Sequence, residues 1–366
     1  MIRVLHVVGA MNIGGTETML MEIYKNIDTK KVQFDFISYS SKEAYYDKEI
    51  ESLGGKVIRL KSTYSIKEHI KAIKENGPYD VVHSHTLFHC GIASLSAKLC
   101  GVKTIISHAH TTSDLNKGII RNIYKYVMKK MINSCSTQLM ACSEVAGEYL
   151  FGEKMIKSSK YRYFANIIDY EKFINVEDDK VEQFKLENNL KDKIVIGHIG
   201  RFTEAKNHKF LLKIMKDVIE TNKDIRLLLV GDGKLKNEII KLSKELNIED
   251  KVIFTGFRKD INTMLYSMDL FVFPSIFEGL GLVILEAQAS GLNCIVSQAI
   301  QKEADLEIGL VHKLNLDDDK KLWINKILSL SNKNKVDKNV IIKSFNEKKY
   351  TIQDSIKTLY DVYGVK

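Results

Sequence analysis

The segment "DLFVFPSIFEGLGLVILEAQASG", residues 269–291, contains the transition that decides the fold. Its first part, "DLFVF", has the length and composition of a buried strand. A loop with one proline and two glycines follows, and "LVILEAQASG" then has a helical pattern that ends at a glycine. A buried strand joined to a helix by a short loop is half of a parallel crossover, so the segment predicts an α/β fold.

The same alternation of apolar runs and helical patterns covers the whole chain. Crossovers of this kind are right-handed and produce parallel sheets. The predicted strands are "RVLHVVGA", "VQFDFISY", "KVIRL", "DVVHSH", "KTIISHA", "TQLMACS", "YRYFAN", "KIVIGHIG", "IRLLLVGDG", "KVIFTGF", "DLFVFPS", "NCIVSQ" and "IGLVHKL". They predict two Rossmann-like, doubly wound domains, with a ligand site in a central cleft between the carboxyl ends of both sheets.

The domain boundaries follow from length and charge. A chain of 366 residues is too long for one ordinary core. Near 170–192 the apolar runs stop and charged residues dominate. We predict an N-terminal domain over 1–165, a linker over 166–192 and a C-terminal domain over 193–344. The remaining residues, 345–366, are predicted to form a helix that packs back on the N-terminal domain.

The composition indicates a globular protein of a reducing compartment. It is 45% hydrophobic and 28% charged, and no run approaches the ~18 apolar residues of a membrane span. The first residues, "MIRVLHVVGAM", have the pattern of a strand rather than of a signal peptide. Five cysteines without CxxC spacing fit free thiols in the cytoplasm.

The positive charge is concentrated in the first half of the chain. Residues 1–165 carry 23 Lys and Arg against 15 Asp and Glu, which is eight of the nine net charges. Such a surface suggests an anionic partner, but no nucleic-acid-binding motif is present. In 117–135, basic residues recur every four positions and apolar residues at helical spacing. This amphipathic helix either lies on anionic lipid or packs its apolar face on the core.

Two segments of the second half carry side chains suited to a nucleotide-sugar. In "GRFTEAKN", 200–207, Arg201 and Lys206 lie between a strand and a helix, where a phosphate can bind. Glu278 and Glu286 flank the glycine loop of 273–291, and carboxylates accept hydrogen bonds from ribose and sugar hydroxyls. Cations for a diphosphate and carboxylates for hydroxyls together indicate a nucleotide-sugar site.

Glycines and histidines mark strand ends in the first half. Gly14 and Gly15 follow the first strand, where they allow a ligand to approach the backbone. The pairs His83/His85 and His108/His110 end two other strands. We expect strand alternation to send the two rings of each pair to opposite faces, so that at most two share a site. No metal site is therefore predicted.

These motifs together resemble family 4 of the retaining glycosyltransferases, which have the two-domain GT-B fold. The frame "PS-x-x-EG-x-G-x-x-x-x-EA-x-A-x-G" is matched by Pro274, Ser275, Glu278, Gly279, Gly281, Glu286, Ala287 and Gly291. "GR-x-x-x-x-KN" and "VGDG" also match, and "ANIID", 165–169, resembles the linker motif "PNGID" with Ala165 and Ile167 replacing its proline and glycine. That departure bears on the hinge rather than on activity. "HTLFHCGI" and "SHAHTTSD" look most like the capsular and exopolysaccharide branch.

The resemblance implies a retaining, metal-independent hexosyltransferase that needs no cofactor. It would move a hexose or N-acetylhexosamine from a nucleotide-sugar, most readily a UDP-sugar, to an undecaprenyl-diphosphate-linked saccharide in surface polysaccharide synthesis. UDP-Glc, UDP-Gal, UDP-GlcNAc and GDP-mannose are all compatible. The expected location is cytoplasmic, peripheral at the inner face of the cell membrane. Two alternatives stay open: a UDP-sugar epimerase of the same fold, and a non-catalytic nucleotide-sugar-binding subunit.

The resemblance also implies residue roles. The N-terminal domain would bind the acceptor and the C-terminal domain the donor. The catalytic candidates are Glu278, His108, Arg201 and Lys206. The donor-binding set is Gly14, Gly15, Arg201, Lys206, Phe257, Arg258, Glu278, Gly279, Leu280, Gly281, Leu282 and Glu286. The acceptor or membrane candidates are His85, His110, Arg121, Lys125, Lys129 and Lys130. Glu278 is expected to hold sugar hydroxyls rather than act as a nucleophile, and the leaving phosphate is expected to act as the base.

Overall fold

The computed structural model describes residues 1–113, 118–331 and 336–365, and these residues form two compact units. Unit 1 comprises Met1–Ile168 and Lys349–Lys366, and unit 2 comprises Asp169–Lys348. Each unit has one parallel sheet with helices between its strands, so the predicted class, an α/β protein with two Rossmann-like domains, is confirmed.

Unit 1 contains a seven-stranded sheet in the order β3-β2-β1-β4-β5-β6-β7. Its strands are β1 (Ile2–Val8), β2 (Val32–Ser38), β3 (Val57–Arg59), β4 (Val81–Ser84), β5 (Thr104–Ala109), β6 (Gln138–Ala141) and β7 (Tyr161–Tyr163). Its helices are α1 (Gly15–Asn26), α2 (Asp47–Ser52), α3 (Ile66–Asn76), α4 (Cys90–Leu99), α5 (Ile119–Cys135), α6 (Glu144–Phe151), α7 (Glu153–Ile156) and the C-terminal α16 (Ile352–Tyr363).

Unit 2 contains a six-stranded sheet in the order β10-β9-β8-β11-β12-β13. Its strands are β8 (Ile194–Ile199), β9 (Ile225–Val230), β10 (Val252–Gly256), β11 (Leu270–Phe273), β12 (Cys294–Ser297) and β13 (Val311–Leu314). Its helices are α8 (Glu171–Ile174), α9 (Asp178–Glu187), α10 (His208–Thr221), α11 (Lys236–Glu245), α12 (Ile261–Tyr266), α13 (Leu282–Ala289), α14 (Lys320–Leu330) and α15 (Lys338–Glu347).

The strand order places a topological switch point in each sheet. In unit 1, the chain moves outward from β1 on one side and then returns to β4 on the other, so β1 and β4 are neighbours. In unit 2 the equivalent neighbours are β8 and β11. The loops after two such strands leave the sheet in opposite directions and open a crevice at the carboxyl edge, where α/β proteins bind ligands.

The segment expected as a linker, 166–192, contains two short helices. From Asp169 onward it packs on unit 2: the ring of Tyr170 stacks on that of Phe345 at 4.6 Å. The hydroxyl of Tyr266 donates a 2.7 Å hydrogen bond to the carbonyl of Ile174. The segment predicted as a linker therefore makes aromatic and hydrogen-bond contacts with unit 2.

The C-terminal segment contains two helices instead of one. The helix pattern of 341–366 is interrupted after α15, where Lys349 has a φ of 56°. Residues up to Lys348 belong to unit 2, and α16 belongs to unit 1. There Leu359 and Tyr363 join the core beside β1 and β2, so the end of the chain completes the unit in which the chain begins. Within the described ranges, every helix is too short or too polar to cross a bilayer.

Candidate functional site

A short ion pair lies at the switch point of unit 2. The Nζ atom of Lys206 is 2.6 Å from Oε1 of Glu278, and the two side chains are only 19% and 12% exposed. Lys206 follows β8 and Glu278 follows β11, so the pair joins the two loops that flank the crevice. The predicted cation and the predicted carboxylate are thus brought together by the sheet topology.

The backbone around the ion pair fixes both loops. After β8, residues Glu204–Lys206 form one 3-10 turn, and Asn207 adopts a left-handed conformation (φ 56°) before α10 begins. The amide of Ile276 donates a 2.8 Å hydrogen bond to the carbonyl of Ala205, which ties the loop after β11 to that turn. Short, bonded loops hold charged side chains in place with little loss of rotamer freedom on binding.

The "VGDG" motif after β9 packs against the loop after β8. Gly231 has a φ of +135°, and a Cβ atom there would lie 2.2 Å from the carbonyl oxygen of Gly200. A Cβ atom at Gly233 would lie 2.5 Å from the carbonyl oxygen of Phe202. The loop after β9 can therefore pack against the loop that carries Arg201 and Lys206 only because both positions are glycine.

Aromatic residues pack near Lys206, and the sequence analysis did not identify them as part of the site. The Nζ atom lies 4.5 Å from the ring centroid of Phe273, within cation–π distance. The ring of His208 stacks on that of Phe202, with their centroids 4.2 Å apart. Burial lowers the pKa of His208 to about 4, and the nearby positive charge of Lys206 contributes a smaller part of this shift. The "FP" of the "FPS" motif was a usable signal for Phe273, because it places an aromatic residue at the strand end.

Glu286 lies in the second turn of α13 and is a partly exposed residue. Burial of the carboxyl group raises its pKa from 4.5 to about 7. The predicted position in the first turns of the helix is confirmed. A carboxylate that has lost much of its hydration gains more from two new hydroxyl donors than an exposed one does, because it exchanges fewer bonds with water.

The other predicted donor residues of unit 2 lie in the loops after β8, β10 and β11 and at the start of α13. Gly281 has a φ of 90° and precedes α13, Leu282 is the first helical residue, and Leu280 is buried. Arg201 is exposed in the loop after β8. Phe257 is exposed as well, in the loop after β10. Arg258 is differently placed: its Nε and Nη2 atoms hold both oxygens of Asp260 at 2.9 and 2.6 Å.

The predicted residues of unit 1 lie at the carboxyl edge of its own sheet. Gly14 precedes α1 in an extended conformation and Gly15 is the first residue of the helix, so both belong to the loop after β1. His83 and His85 end β4, and His108 and His110 end β5. The histidine that sequence reasoning missed is His6 of β1, which lies on the neighbouring strand.

The expectation that each histidine pair would split between two faces is wrong. Residues i and i+2 of a strand point to the same face, so both rings of each pair lie together. Ring centroids of His108 and His110 are 3.9 Å apart, and those of His83 and His85 are 4.3 Å apart. With His6 they form a cluster of five imidazoles, and two overlapping groups of three could hold a metal ion: His6/His83/His85 and His85/His108/His110.

Hydrogen bonds organise this histidine cluster into two chains. In one, the hydroxyl of Tyr363 is 2.9 Å from Nδ1 of His83, whose Nε2 is 3.2 Å from Nδ1 of His108. In the other, Nδ1 of His6 is 3.1 Å from Nε2 of His85, whose Nδ1 is 2.9 Å from Nε2 of His110. Burial lowers the pKa of all five imidazoles, so they are neutral near pH 7.

The basic helix predicted over 117–135 is α5. Its apolar residues are partly packed on the core and partly exposed, so it has features of both alternatives, core packing and contact with lipid. Lys117 lies outside the described residues. Toward the C-terminal end, Met128, Ile132 and Cys135 are buried in the unit. Toward the N-terminal end, the apolar side chains face outward; the exposed ones are Ile119, Ile120, Ile123, Tyr126 and Val127.

Three cations of α5 contact aromatic rings, which the sequence analysis did not predict. Lys125 lies 5.7 Å from the ring centroid of Phe88 and 3.3 Å from the hydroxyl of Tyr149. Arg121 also lies over Phe88, and Lys129 lies over Tyr149. Desolvation, together with the charge of Lys125, lowers the pKa of Lys129. The predicted cations therefore stand on aromatic rings, and among them Lys130 is exposed beside the outward apolar residues.

Two family models account for most of the chain. "Glycosyltransferase Family 4" matches residues 13–172, and "Glycosyl transferases group 1" matches residues 179–346. The first match falls in unit 1 apart from its last four residues, and the second falls within unit 2. The resemblance that the motifs indicated is therefore found independently in both halves.

Relatives and solved structures agree with this assignment. The chain is 36% identical to the "Putative glycosyltransferase EpsF" of Bacillus subtilis, over 99% of this chain and 96% of that protein. It is 30% identical to the Escherichia coli UDP-Gal:alpha-D-GlcNAc-diphosphoundecaprenol alpha-1,3-galactosyltransferase, over 82% of this chain and 79% of that protein. Anabaena HepE, solved with UDP-glucose, has a TM-score of 0.81 at 16% identity over 100% of both chains, a likeness of fold. The chain therefore belongs to the glycosyltransferases of the group 1 and family 4 type, with two Rossmann-like domains of the GT-B class.

Proposed function

We propose that this glycosyltransferase moves a hexose or N-acetylhexosamine from a UDP-sugar to an undecaprenyl-diphosphate-linked saccharide in surface polysaccharide synthesis, with retention at the anomeric carbon. The observation that carries the donor half of the proposal is the Lys206–Glu278 pair at the switch point of unit 2. It places a cation suited to a diphosphate next to a carboxylate suited to sugar hydroxyls.

The donor roles follow from charge and position. Lys206 and Arg201 neutralise the diphosphate and its developing charge as the sugar leaves. Glu278 accepts hydrogen bonds from sugar hydroxyls, and Glu286 accepts them from the ribose. Backbone amides of residues 279–282, before and at the start of α13, add hydrogen-bond donors for a phosphate. Phe257 remains a candidate for the base, whereas Arg258 must first release Asp260 to reach it.

The reaction needs no resident cofactor and no divalent ion at the diphosphate, because two side-chain cations supply the positive charge there. The acceptor hydroxyl attacks the anomeric carbon on the face that the leaving phosphate occupied, and its proton passes to that phosphate. The carbon–oxygen bond to the nucleoside diphosphate breaks and one to the acceptor forms. Glu278 is paired with Lys206 and is not assigned as a nucleophile. His108 is the residue of unit 1 that we propose takes part in catalysis.

The UDP assignment and the acceptor rest on similarity. The Escherichia coli relative is named for transfer from UDP-Gal to a diphosphoundecaprenol-linked GlcNAc. Capsular glycosyltransferase CapH of Staphylococcus aureus is 29% identical over 83% of this chain and 82% of that protein. Unit 1 carries most of the net positive charge, which suits a diphosphate-linked lipid and an anionic surface. We therefore propose that the chain works as a peripheral protein at the cytoplasmic face of the membrane.

The test is a transfer assay that reports both bond formation and stereochemistry. UDP-sugars and GDP-mannose are offered singly with a short-chain polyprenyl-diphosphate-linked GlcNAc acceptor, in buffer with EDTA, and the product is examined by NMR. An α-linked product from an α-linked UDP-sugar supports the proposal. A β-linked product contradicts retention. Interconversion of the donor sugar without acceptor would identify an epimerase, and donor binding without any product would identify a binding subunit.

A further inference from the structure

The histidine cluster of unit 1 contains a set of three rings that the donor chemistry does not use as a set. We propose that His85, His108 and His110 form a binding site for a transition-metal ion of the zinc class. One ring nitrogen from each of the three lies within 4.8 Å of the others. His85 and His110 are partly exposed and His108 is buried, so an ion has access from solvent on one side and protein on the other.

The ligand atoms follow from what each ring nitrogen contacts. Nδ1 of His85 and Nε2 of His110 face each other at 2.9 Å. Two nitrogens bound to one tetrahedral zinc at ~2.0–2.1 Å stand about 3.3 Å apart, so a small ring movement converts this pair into one edge of a coordination sphere. The third ligand is Nε2 of His108, which is buried and has no hydrogen-bond partner among the described residues.

The outer nitrogens of the three rings supply a supporting layer. Nε2 of His85 faces His6 at 3.1 Å, and Nδ1 of His108 faces His83 at 3.2 Å. His83 is held in turn by the Tyr363 hydroxyl at 2.9 Å. With metal on the inner nitrogens, each outer N–H donates outward: His85 to His6, and His108 to His83. Metal-bound histidines are oriented in this way in known sites, where the second ring nitrogen bonds a neighbour.

The outer nitrogen of His110, Nδ1, has a neighbour as well. The side chain of Asn166 lies beside His110. Nδ1 of His110 and Oδ1 of Asn166 fall outside hydrogen-bond geometry, although both atoms are buried. With a metal ion on Nε2 of His110, a rotation of the Asn166 amide would let its Oδ1 atom accept a hydrogen bond from Nδ1 of His110.

The chemistry of the ligands selects the ion. The metal-capable groups of the site are imidazoles without a carboxylate, which favours zinc, cobalt, nickel or copper over magnesium or calcium. Three neutral histidines leave a fourth position for solvent or an anion, as in zinc sites of the three-histidine type.

Occupation of this site has a consequence for transfer, and only this consequence rests on the proposed function. The metal would take Nε2 of His108, the side chain proposed for catalysis in unit 1. Zinc is therefore expected to inhibit transfer, and EDTA is expected to restore it. The diphosphate charge is handled by Arg201 and Lys206 in unit 2, so transfer in EDTA and metal binding in unit 1 are compatible.

Cobalt titration of the EDTA-stripped, full-length protein tests binding without reference to activity. We expect one equivalent of Co²⁺ to bind with the visible absorption of tetrahedral cobalt, and Zn²⁺ to displace it. His85→Asn and His110→Asn should each weaken binding more than 100-fold. His89→Asn, which changes another partly exposed histidine of unit 1, should leave it unchanged. Circular dichroism checks that each variant is folded.

A substitution in the supporting layer is expected to have a smaller effect on cobalt binding. Tyr363→Phe removes only the hydroxyl that holds His83, and it should weaken cobalt binding by about 10–100-fold if that layer orients His108. Absence of the tetrahedral band from wild-type protein would overturn the proposal, as would equal binding by wild type and His85→Asn. Cobalt binding without zinc inhibition of transfer would leave the metal site in place and remove His108 from the proposed mechanism.

Discussion

Lys206 and Glu278 share one short ion pair, 2.6 Å from Nζ to Oε1, although 71 residues separate them in the chain. Each was expected to serve a different part of the donor, the diphosphate and the sugar. In the proposed function, the Glu278 carboxylate pairs with the Lys206 ammonium group until the donor diphosphate binds. We propose that the diphosphate then replaces Glu278 as the ionic partner of Lys206, and that the released carboxylate accepts hydrogen bonds from sugar hydroxyls.

This exchange predicts opposite effects of Glu278→Gln on binding and on transfer. The amide keeps the shape of the side chain but no longer competes with phosphate for Lys206. We expect UDP to bind about fivefold more tightly, which corresponds to about 1 kcal/mol. Transfer should fall at least 100-fold, because sugar hydroxyls lose a charged acceptor at the reacting ring. Calorimetric titration with UDP and a product assay measure the two quantities, and weaker UDP binding by the variant would count against the competition.

The pKa of Glu286 predicts a pH dependence of stability. The value is raised by burial from 4.5 to about 7, so between these pH values the unfolded chain releases a proton that the folded chain keeps. The free energy of unfolding should therefore fall as pH rises through this window and level off above it.

Glu286→Gln removes that dependence. We expect the variant to be more stable than wild type by about 1–2 kcal/mol at pH 8 and equally stable at pH 4. The gain is smaller than the full shift would give, because the side chain keeps some solvent contact. Urea unfolding at a series of pH values from 4 to 9 checks it. A difference that grows toward acid pH would contradict the burial of this carboxyl group.

Gly231 predicts a large cost for a single methyl group. Its Cβ atom would meet the Gly200 carbonyl oxygen at 2.2 Å, and its φ of +135° already disfavours other residues. We expect Gly231→Ala to lower the free energy of unfolding by about 3 kcal/mol or more. Gly309→Ala is the matched control, since Gly309 has a φ of +78° with no atom within 4 Å of a Cβ, and about 1–2 kcal/mol is expected there. Equal losses would show that the two loops can separate without cost.

The outward apolar residues of α5 predict binding to lipid. Ile119 and Ile123 are one turn apart and 80% and 59% exposed, and insertion of both into a membrane interface buries apolar area. We expect Ile119→Asn with Ile123→Asn to reduce sedimentation with anionic liposomes at least tenfold. Leu99→Asn, at an exposed leucine at the end of α4, should have no effect. Lys130→Glu should reduce binding to anionic vesicles alone. Unchanged sedimentation of the double variant would rule α5 out as the contact.

Sequence periodicity predicted the sheets well because each strand is a short apolar run bounded by turn residues. All thirteen predicted strands correspond to β1–β13, from "RVLHVVGA" to "IGLVHKL". Local motifs also led to Lys206 and Glu278 as candidate site residues. Their direct contact could not be predicted that way, because it depends on β8 and β11 being neighbours, and no local pattern encodes strand order.

The errors have identifiable causes. The histidine pairs were assigned to opposite faces although residues two apart share a face, which is why the five-ring cluster was missed. Tyr363 lies 280 residues from His83, so its role in the cluster follows only from the return of α16 to unit 1. The contacts of Lys125 with Phe88 and of Lys129 with Tyr149 were not predicted either, because cation–π contacts leave no periodic signal in the sequence.

Calorimetric titration of UDP into Lys206→Ala tests the central claim, that Lys206 holds the donor diphosphate, most directly. Lys209→Ala is its control, because Lys209 lies one residue into α10, pairs with Glu238 at 2.7 Å and stands on the surface. We predict that wild type and the control bind UDP equally and that Lys206→Ala binds it at least 30-fold more weakly, about 2 kcal/mol. Unchanged affinity in Lys206→Ala, with the variant folded, would contradict the assignment of the diphosphate to this crevice.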